Sequence, residues 1–182
     1  MTGRPSDGPL VWNVAGLLSD VPGGERDYEV RDVRIDLGDD LSLAEPIDGR
    51  VHLGRTNRGI LASTDLHAAL ALQCSRCLLD IALPVDIRFQ EEYLPTLDLA
   101  SGRPLPATDE PEVLRLNDHH ELDLETPVRE AIQLAEPIAP LCRPDCPGLC
   151  IVCGGRLDEG THDHPADDID PRLEALRGFR PD

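Results

Sequence analysis

Four of the chain's six cysteines, Cys142, Cys146, Cys150 and Cys153, fall within twelve residues of "LCRPDCPGLCIVCGGRLDEGTHDH", and two histidines, His162 and His164, follow them. A segment so dense in thiols is built around a metal, works as a redox centre or is knotted by disulfides. The remaining two cysteines form "CSRC", Cys74 and Cys77, far upstream. The chain start lacks the sustained apolar run and small-residue cleavage site of a secretory leader, and no stretch reaches the ~18 apolar residues that span a bilayer. A cytoplasmic protein is expected, without a membrane role. Thiols stay reduced there, so repeated cysteine pairs point to metal or catalysis before disulfides.

Zinc takes four soft or borderline ligands in a tetrahedron, and pairs spaced Cys-x2-Cys or Cys-x3-Cys let one tight turn aim two thiolates at one ion. The glycines of "CPGLC" and "CGG" suit such turns, since positive-φ residues beside a ligand turn backbone N–H groups toward sulfur. Two arrangements satisfy the spacing. In one, Cys142, Cys146, Cys150 and Cys153 close a local four-thiolate site. In the other, Cys74 and Cys77 join Cys142 and Cys146, while Cys150 and Cys153 join His162 and His164. Both use Zn2+ structurally, because a site filled by four protein ligands leaves no coordination position for substrate.

Catalytic alternatives fit less well. A redox Cys-x-x-Cys lies at a strand-to-helix junction, where the helix N-terminus lowers one thiol's pKa. Here "CSRC" is followed by strand-type alternation and "CIVC" by two glycines. A thiol oxidoreductase or redox switch built on either pair is the alternative function. A Cys/His hydrolase needs one activated cysteine with a base, and crowded thiol pairs single out none. His119 and His120 in "NDHHE", and His52 and His67, read as solvated side chains. The carboxylates of "TDEPE" and "ADDID" read as a solvated acidic surface. There is no phosphate-binding glycine loop.

The strongest fold signal surrounds "CSRC". Leu66, Ala68, Leu70 and Leu72 alternate before it, and Ile81, Leu83, Val85, Ile87 and Phe89 alternate after it, so the motif sits at the bend of a hairpin. Pro84 falls on the outward set, which suits an edge strand. Val33, Ile35 and Leu37 alternate as a further strand, and "GRVHLGRTNRGILAS" reads as two strands joined around "TNRG". "TPVREAIQLAEPIAP" carries a helix signature: Thr126 as N-cap, Pro127 at the first helical position, and Val128, Ile132 and Ala135 on one face. A short helix after Asp170 is also expected.

Only 3% of residues are aromatic, while 17 prolines and 15 glycines are spread over 182 residues. That composition favours a β-rich α+β fold over a helical bundle. The expected architecture is an antiparallel sheet or partly open barrel, with one main helix and a C-terminal Cys-rich zinc segment. Residues 1–94 form the β-rich core domain, residues 95–121 an acidic, Pro-rich loop, and residues 122–182 the helix, the Cys-rich segment and an acidic tail packed on the core.

The net charge of −18 repels phosphate backbones and attracts basic proteins in a salt-dependent way. Direct RNA contact is therefore disfavoured, with Arg50, Arg55 and Arg58 as its one local basic patch.

In order, "LLSDVPGGERDY", "LQCSRCLLDIALPVDIRFQEEYLP", "ETPVREAIQLAEPIAPLCRPDCPGLCIVCGGRLDEG" and "DPRLEALRGF" resemble the bacterial YceD family, the large ribosomal RNA subunit accumulation proteins. The run "PLCRPDCPGLCIVCG" is the most specific part. Many relatives carry Cys-x-Cys where this chain has His162-x-His164, a change that keeps zinc-ligand chemistry and favours the two-site arrangement. The resemblance implies a non-enzymatic factor in large-subunit biogenesis, supporting accumulation of large-subunit ribosomal RNA. Its expected partner is a basic ribosomal protein or a large-subunit precursor.

Overall fold

The structure, a computed structural model, describes residues 8–106, 113–164 and 172. Its elements in chain order are β1 (Val11–Asn13), α1 (Ala15–Ser19), β2 (Glu25–Val33), β3 (Ser42–Arg55), β4 (Ile60–Gln73), β5 (Asp80–Ile87), β6 (Gln90–Leu94), β7 (Leu114–Arg115), β8 (Glu121–Asp123) and α2 (Glu125–Ala135). One six-stranded sheet runs β2-β3-β4-β6-β7, with β5 also on β4, and β1 pairs with β8 in a separate ribbon. Every pairing is antiparallel except the short parallel step from β6 to β7. The sheet does not close, since β2 and β7 end the strand path without pairing to each other. The expected β-rich sheet with one main helix is present, and the sheet does not close into a barrel.

β4 organises the sheet. Ile60, Ala62, Thr64, Leu66, Ala68 and Leu70 all face the core, the period-2 pattern of a strand with one buried side. One edge of β4 pairs with β3; the other is shared, with Ser63 to Ile60 meeting β6 and Leu66 to Gln73 meeting β5. The break between β5 and β6 has a chemical cause at Thr64, the one buried polar side chain among the described residues. The Phe89 N–H donates to the Thr64 hydroxyl oxygen (3.1 Å), while Thr64 N–H donates to Phe89 O (3.0 Å). The alternation read through Phe89 therefore ends at Ile87. Pro84 is exposed on the free edge of β5, where no neighbour needs its missing N–H.

Two details of the helix differ from expectation. α2 starts at Glu125, and the cap comes from Asp123, whose carboxylate accepts the Glu125 N–H (2.8 Å); Thr126 makes no capping bond. Pro127 is the third helical residue, within the first turn, where N–H groups have no intrahelical partner anyway. Val128 and Ile132 are buried as the stripe requires, but Ala135 is exposed because the helix ends there. Likewise β2 ends at Val33; Ile35 and Leu37 leave the sheet, and Leu37 O accepts a bond from Gln133 Nε2 (3.2 Å) on α2. The helix expected after Asp170, apart from Arg172, and the carboxylates of "TDEPE" and "ADDID" lie outside the described residues.

The main core runs from Leu10 to Ile132 and contains no buried residue beyond α2. A second, small cluster holds Cys74, Cys77 and Cys146, with Leu141, Cys142 and Leu149 packed partly against it. The segment after α2 thus has almost no apolar area with which to hold itself in place. No helix among the described residues is long and apolar enough to cross a membrane.

Candidate metal centre

The β4–β5 hairpin projects "CSRC" from its bend. Cys74 N–H donates to Leu79 O (2.8 Å), and Leu78 N–H donates to Cys74 O (2.9 Å). The "CIVCGG" turn repeats the pattern: Cys150 N–H donates to Gly155 O (2.7 Å), and Gly154 N–H to Cys150 O (2.9 Å). In both, the residue after the second cysteine has positive φ, 58° at Leu78 and 70° at Gly154. Each turn aims two sulfurs to one side, the geometry a shared cation requires.

The eight donors fall into two groups. Cys74, Cys77, Cys142 and Cys146 form one; Cys150, Cys153, His162 and His164 form the other, and within each the ligand atoms lie within 4.8 Å of one another. Among the described residues, Cys142, Cys146, Cys150 and Cys153 do not come together as a local quartet. The long-range grouping is held by bonds across the interface. Ser75 gives both its N–H (2.8 Å) and its hydroxyl (2.7 Å) to Pro140 O, and Arg76 Nη1 reaches Cys146 O (3.0 Å). Gly148 lies so close that a Cβ there would stand 3.2 Å from Arg76 O.

The donor chemistry fits zinc in both groups. Sulfurs bound at about 2.3 Å in a regular tetrahedron are about 3.8 Å apart; Cys74 and Cys146 are separated by 3.8 Å, Cys77 and Cys142 by 3.7 Å, and all six cysteines are free thiols. In the second group the expected sulfur–nitrogen edge is about 3.5 Å, and Cys153 Sγ lies 3.5 Å from His162 Nδ1. The opposite nitrogen, His162 Nε2, donates to Arg156 O (2.7 Å) and Glu159 O (3.1 Å), which leaves Nδ1 as the lone-pair donor. His164 Nε2 is buried with no hydrogen-bond partner. A buried nitrogen without a partner costs about 1–3 kcal/mol, and coordination removes that cost.

Charge leads to the same conclusion. Burial opposes ionisation of Cys74, but N–H groups of Cys142, Cys77 and Arg76 together outweigh it and hold the thiol down to about 6. Cys142 is pushed up to about 12 by burial and by the sulfurs of Cys146, Cys77 and Cys74. Four packed sulfurs cannot all carry charge unless a cation lies among them. A nucleophile or redox thiol must also be reachable. Cys74, the activated one, is 0% exposed, which suits a ligand and not a reacting group.

The other sequence candidates lie elsewhere. His52 Nδ1 faces Asp27 at 2.9 Å on the outer side of the sheet, and His67 and His119 are exposed. His120 is half-buried, with positive φ and an unpaired Nδ1, beside the β1–β8 ribbon. None of the four histidines belongs to either donor group. The basic patch does not assemble. Arg55 turns its guanidinium to the carbonyls of Leu18, Thr56 and Gly59, and Arg50 sits in register between Glu29 and Asp65. A cavity of ≈ 670 Å³ along β2, walled by Trp12, Tyr28 and Val33, includes no cysteine or histidine in its lining.

A family model described as large ribosomal RNA subunit accumulation protein YceD matches residues 62–180, a span that includes every donor of both groups. An uncharacterized protein of Mycobacterium tuberculosis is 35% identical over 131 residues, covering 71% of this chain and 60% of that protein. An uncharacterized protein of Mycobacterium leprae is 32% identical over 137 residues, covering 72% of this chain and 58% of that protein. The chain therefore spans about 60% of the length of the curated relatives it matches. No solved structure matches it.

Proposed function

The chain belongs to the YceD family of large ribosomal RNA subunit accumulation proteins, and on that premise we propose that it is a non-enzymatic factor in biogenesis of the large ribosomal subunit, stabilised by two structural zinc ions. In this reading it supports accumulation of large-subunit ribosomal RNA from the cytoplasm by holding a basic ribosomal protein or a precursor particle. The family match over residues 62–180 carries the ribosomal part of the reading. Zinc ligands would be Cys74, Cys77, Cys142 and Cys146 in one site, and Cys150, Cys153, His162 and His164 in the other. Zinc supplies there the positive charge that lets packed thiolates coexist; with four protein donors per group, no position remains for a substrate.

The proposal treats residues 1–94 as a β-rich core, residues 95–121 as a loop region, and residues 122–182 as a helix and zinc-bearing segment docked on that core. A net charge of −18 supports a basic partner over naked RNA. Attraction of this kind weakens as salt rises, because exposed charges are screened beyond about 8 Å at physiological ionic strength.

Affinity purification of the full chain from its native cells, washed at low and at high salt, tests the reading. Large-subunit ribosomal proteins or precursor particles are expected in the low-salt eluate and should thin at high salt. Their absence at both salts would overturn the ribosomal assignment.

A further inference from the structure

From the exposed apolar tips of the two cysteine turns, we propose that the metal-bearing end is a docking surface for a basic, amphipathic segment of another protein, an inference that rests on the ribosomal reading for the partner's class but on the structure for the surface. Ile151 is 93% exposed and Val152 49%, both between Cys150 and Cys153. Leu78, beside Cys77, is 58% exposed. Ile138, fully exposed, is two residues from Pro140, whose carbonyl is bonded to Ser75 in the first turn. Leu157 joins the same end through its N–H bond to Gly148 O (3.0 Å), and Gly148 in turn lies against Arg76. Large apolar side chains gathered at one end of a small protein mark an interaction site.

Leu78 is the telling residue. Its backbone is left-handed, at φ 58°, and the corresponding position of the second turn is Gly154. A branched side chain in that region costs about 1–2 kcal/mol, which glycine avoids. Leu78 therefore bears two costs together, a strained backbone and an apolar side chain more than half in water. The positive φ belongs to the turn, as at Gly154; what the turn does not account for is an apolar side chain left in water there, which a docking partner would cover.

The charges around these tips select the partner. Arg143 and Arg156 are held by Asp145, Asp158 and Glu159, and Arg76 is turned onto Cys146 O. Glu136, two residues before Ile138, and Asp163, between His162 and His164, are exposed and have no ion-pair partner among the described residues. Four thiolates around one divalent zinc would leave two further negative charges. Apolar tips surrounded by unpaired negative charge fit a segment with apolar anchors and lysine or arginine around them, whereas a second copy of this acidic chain would be repelled.

The test uses the full chain in its native cells. Leu78→Gly should keep both metals and an unchanged or higher Tm, yet lower retention of the ribosomal partner about tenfold, the size of effect typical for an interface anchor. A photoreactive side chain at Ile151 should cross-link to a basic segment of another protein, identified by mass spectrometry, while the same group at Val21, exposed at the opposite part of the fold beside α1, should not. Unchanged retention in Leu78→Gly overturns the surface, as do adducts equal at the two positions, no adduct at Ile151, or adducts to RNA, to a second copy or to residues 165–182 of the same chain. A cross-link from Ile151 to a basic segment of a protein outside ribosome assembly keeps the surface and overturns the ribosomal reading. Loss of all ribosomal material from the wild-type eluate does the same to that reading alone.

Discussion

Replacing Cys74 and Cys77 together by serine is expected to remove one of two zinc ions and to release the segment after α2 from the sheet. Serine hydroxyls stay protonated and are poor zinc ligands, so the first site is reduced to Cys142 and Cys146. What remains to hold the segment is small. The main core ends at Ile132, and only Leu141 and Leu149 pack partly against the cysteine cluster. Burying two leucines fully contributes about 3–6 kcal/mol. Structural zinc contributes about 10–16 kcal/mol in small domains, so the metal outweighs the apolar contact that remains without it. Hydrogen exchange should therefore accelerate by orders of magnitude at Ser75 and Cys146, whose N–H groups donate to Pro140 O and Arg143 O, while Val51 and Leu66 in the central strands stay protected. The paired variant Cys150→Ser with Cys153→Ser should also lose one zinc, but leave the Ser75 N–H protected. Unchanged metal content in the first variant would mean that the upstream pair is not a ligand pair.

Gly59→Ala, at the turn that leads into β4, is expected to destabilise the sheet strongly. A Cβ at Gly59 would stand 2.1 Å from Tyr93 O and 3.0 Å from its carbonyl carbon. Both are backbone atoms of β6, so no side-chain rotation relieves the contact, and β6 must move away from β4. Tyr93 cannot follow freely: it is 2% exposed, its hydroxyl donates to Asp123 O (2.8 Å), and burial holds its pKa well above the ordinary tyrosine value. Thr56 ties the turn from the other side, accepting the Gly59 N–H on its hydroxyl oxygen (2.9 Å). Overpacking of this kind costs about 3 kcal/mol, or about 6–12 °C in Tm for a domain of this size. Gly54→Ala, with nothing within 4 Å of the added methyl, serves as the control and should change stability by about 0.5 kcal/mol or less. Equal Tm values for the two variants would contradict the close approach of β4 and β6.

How far the sequence could be read follows the range of the interactions. The hairpin around "CSRC" was legible because a buried face leaves a period-2 pattern in Leu66 to Leu72 and Ile81 to Ile87. β1, β7 and β8 were not, since strands of two or three residues carry no periodicity and exist only through distant partners. Thr126 looked like a cap on local grounds, but Asp123 at the end of β8 was nearer the first free N–H. Arg55 looked like part of a basic surface, yet backbone carbonyls of α1 and the β3–β4 turn needed a donor. At the cysteines, spacing identified pairs and not quartets. A Cys-x2-Cys turn specifies which two sulfurs point together; which pair they meet is decided by the contact of Ser75 and Arg76 with residues 140–148, and no local pattern encodes that.

The most direct test is the zinc content of the full chain purified without added metal, measured by elemental analysis beside a count of thiols reactive in the native state. Two zinc ions per chain and no readily reactive thiol are expected. A chain with no zinc and a reactive thiol of low pKa would contradict the structural role of the cysteines and return the protein to redox chemistry.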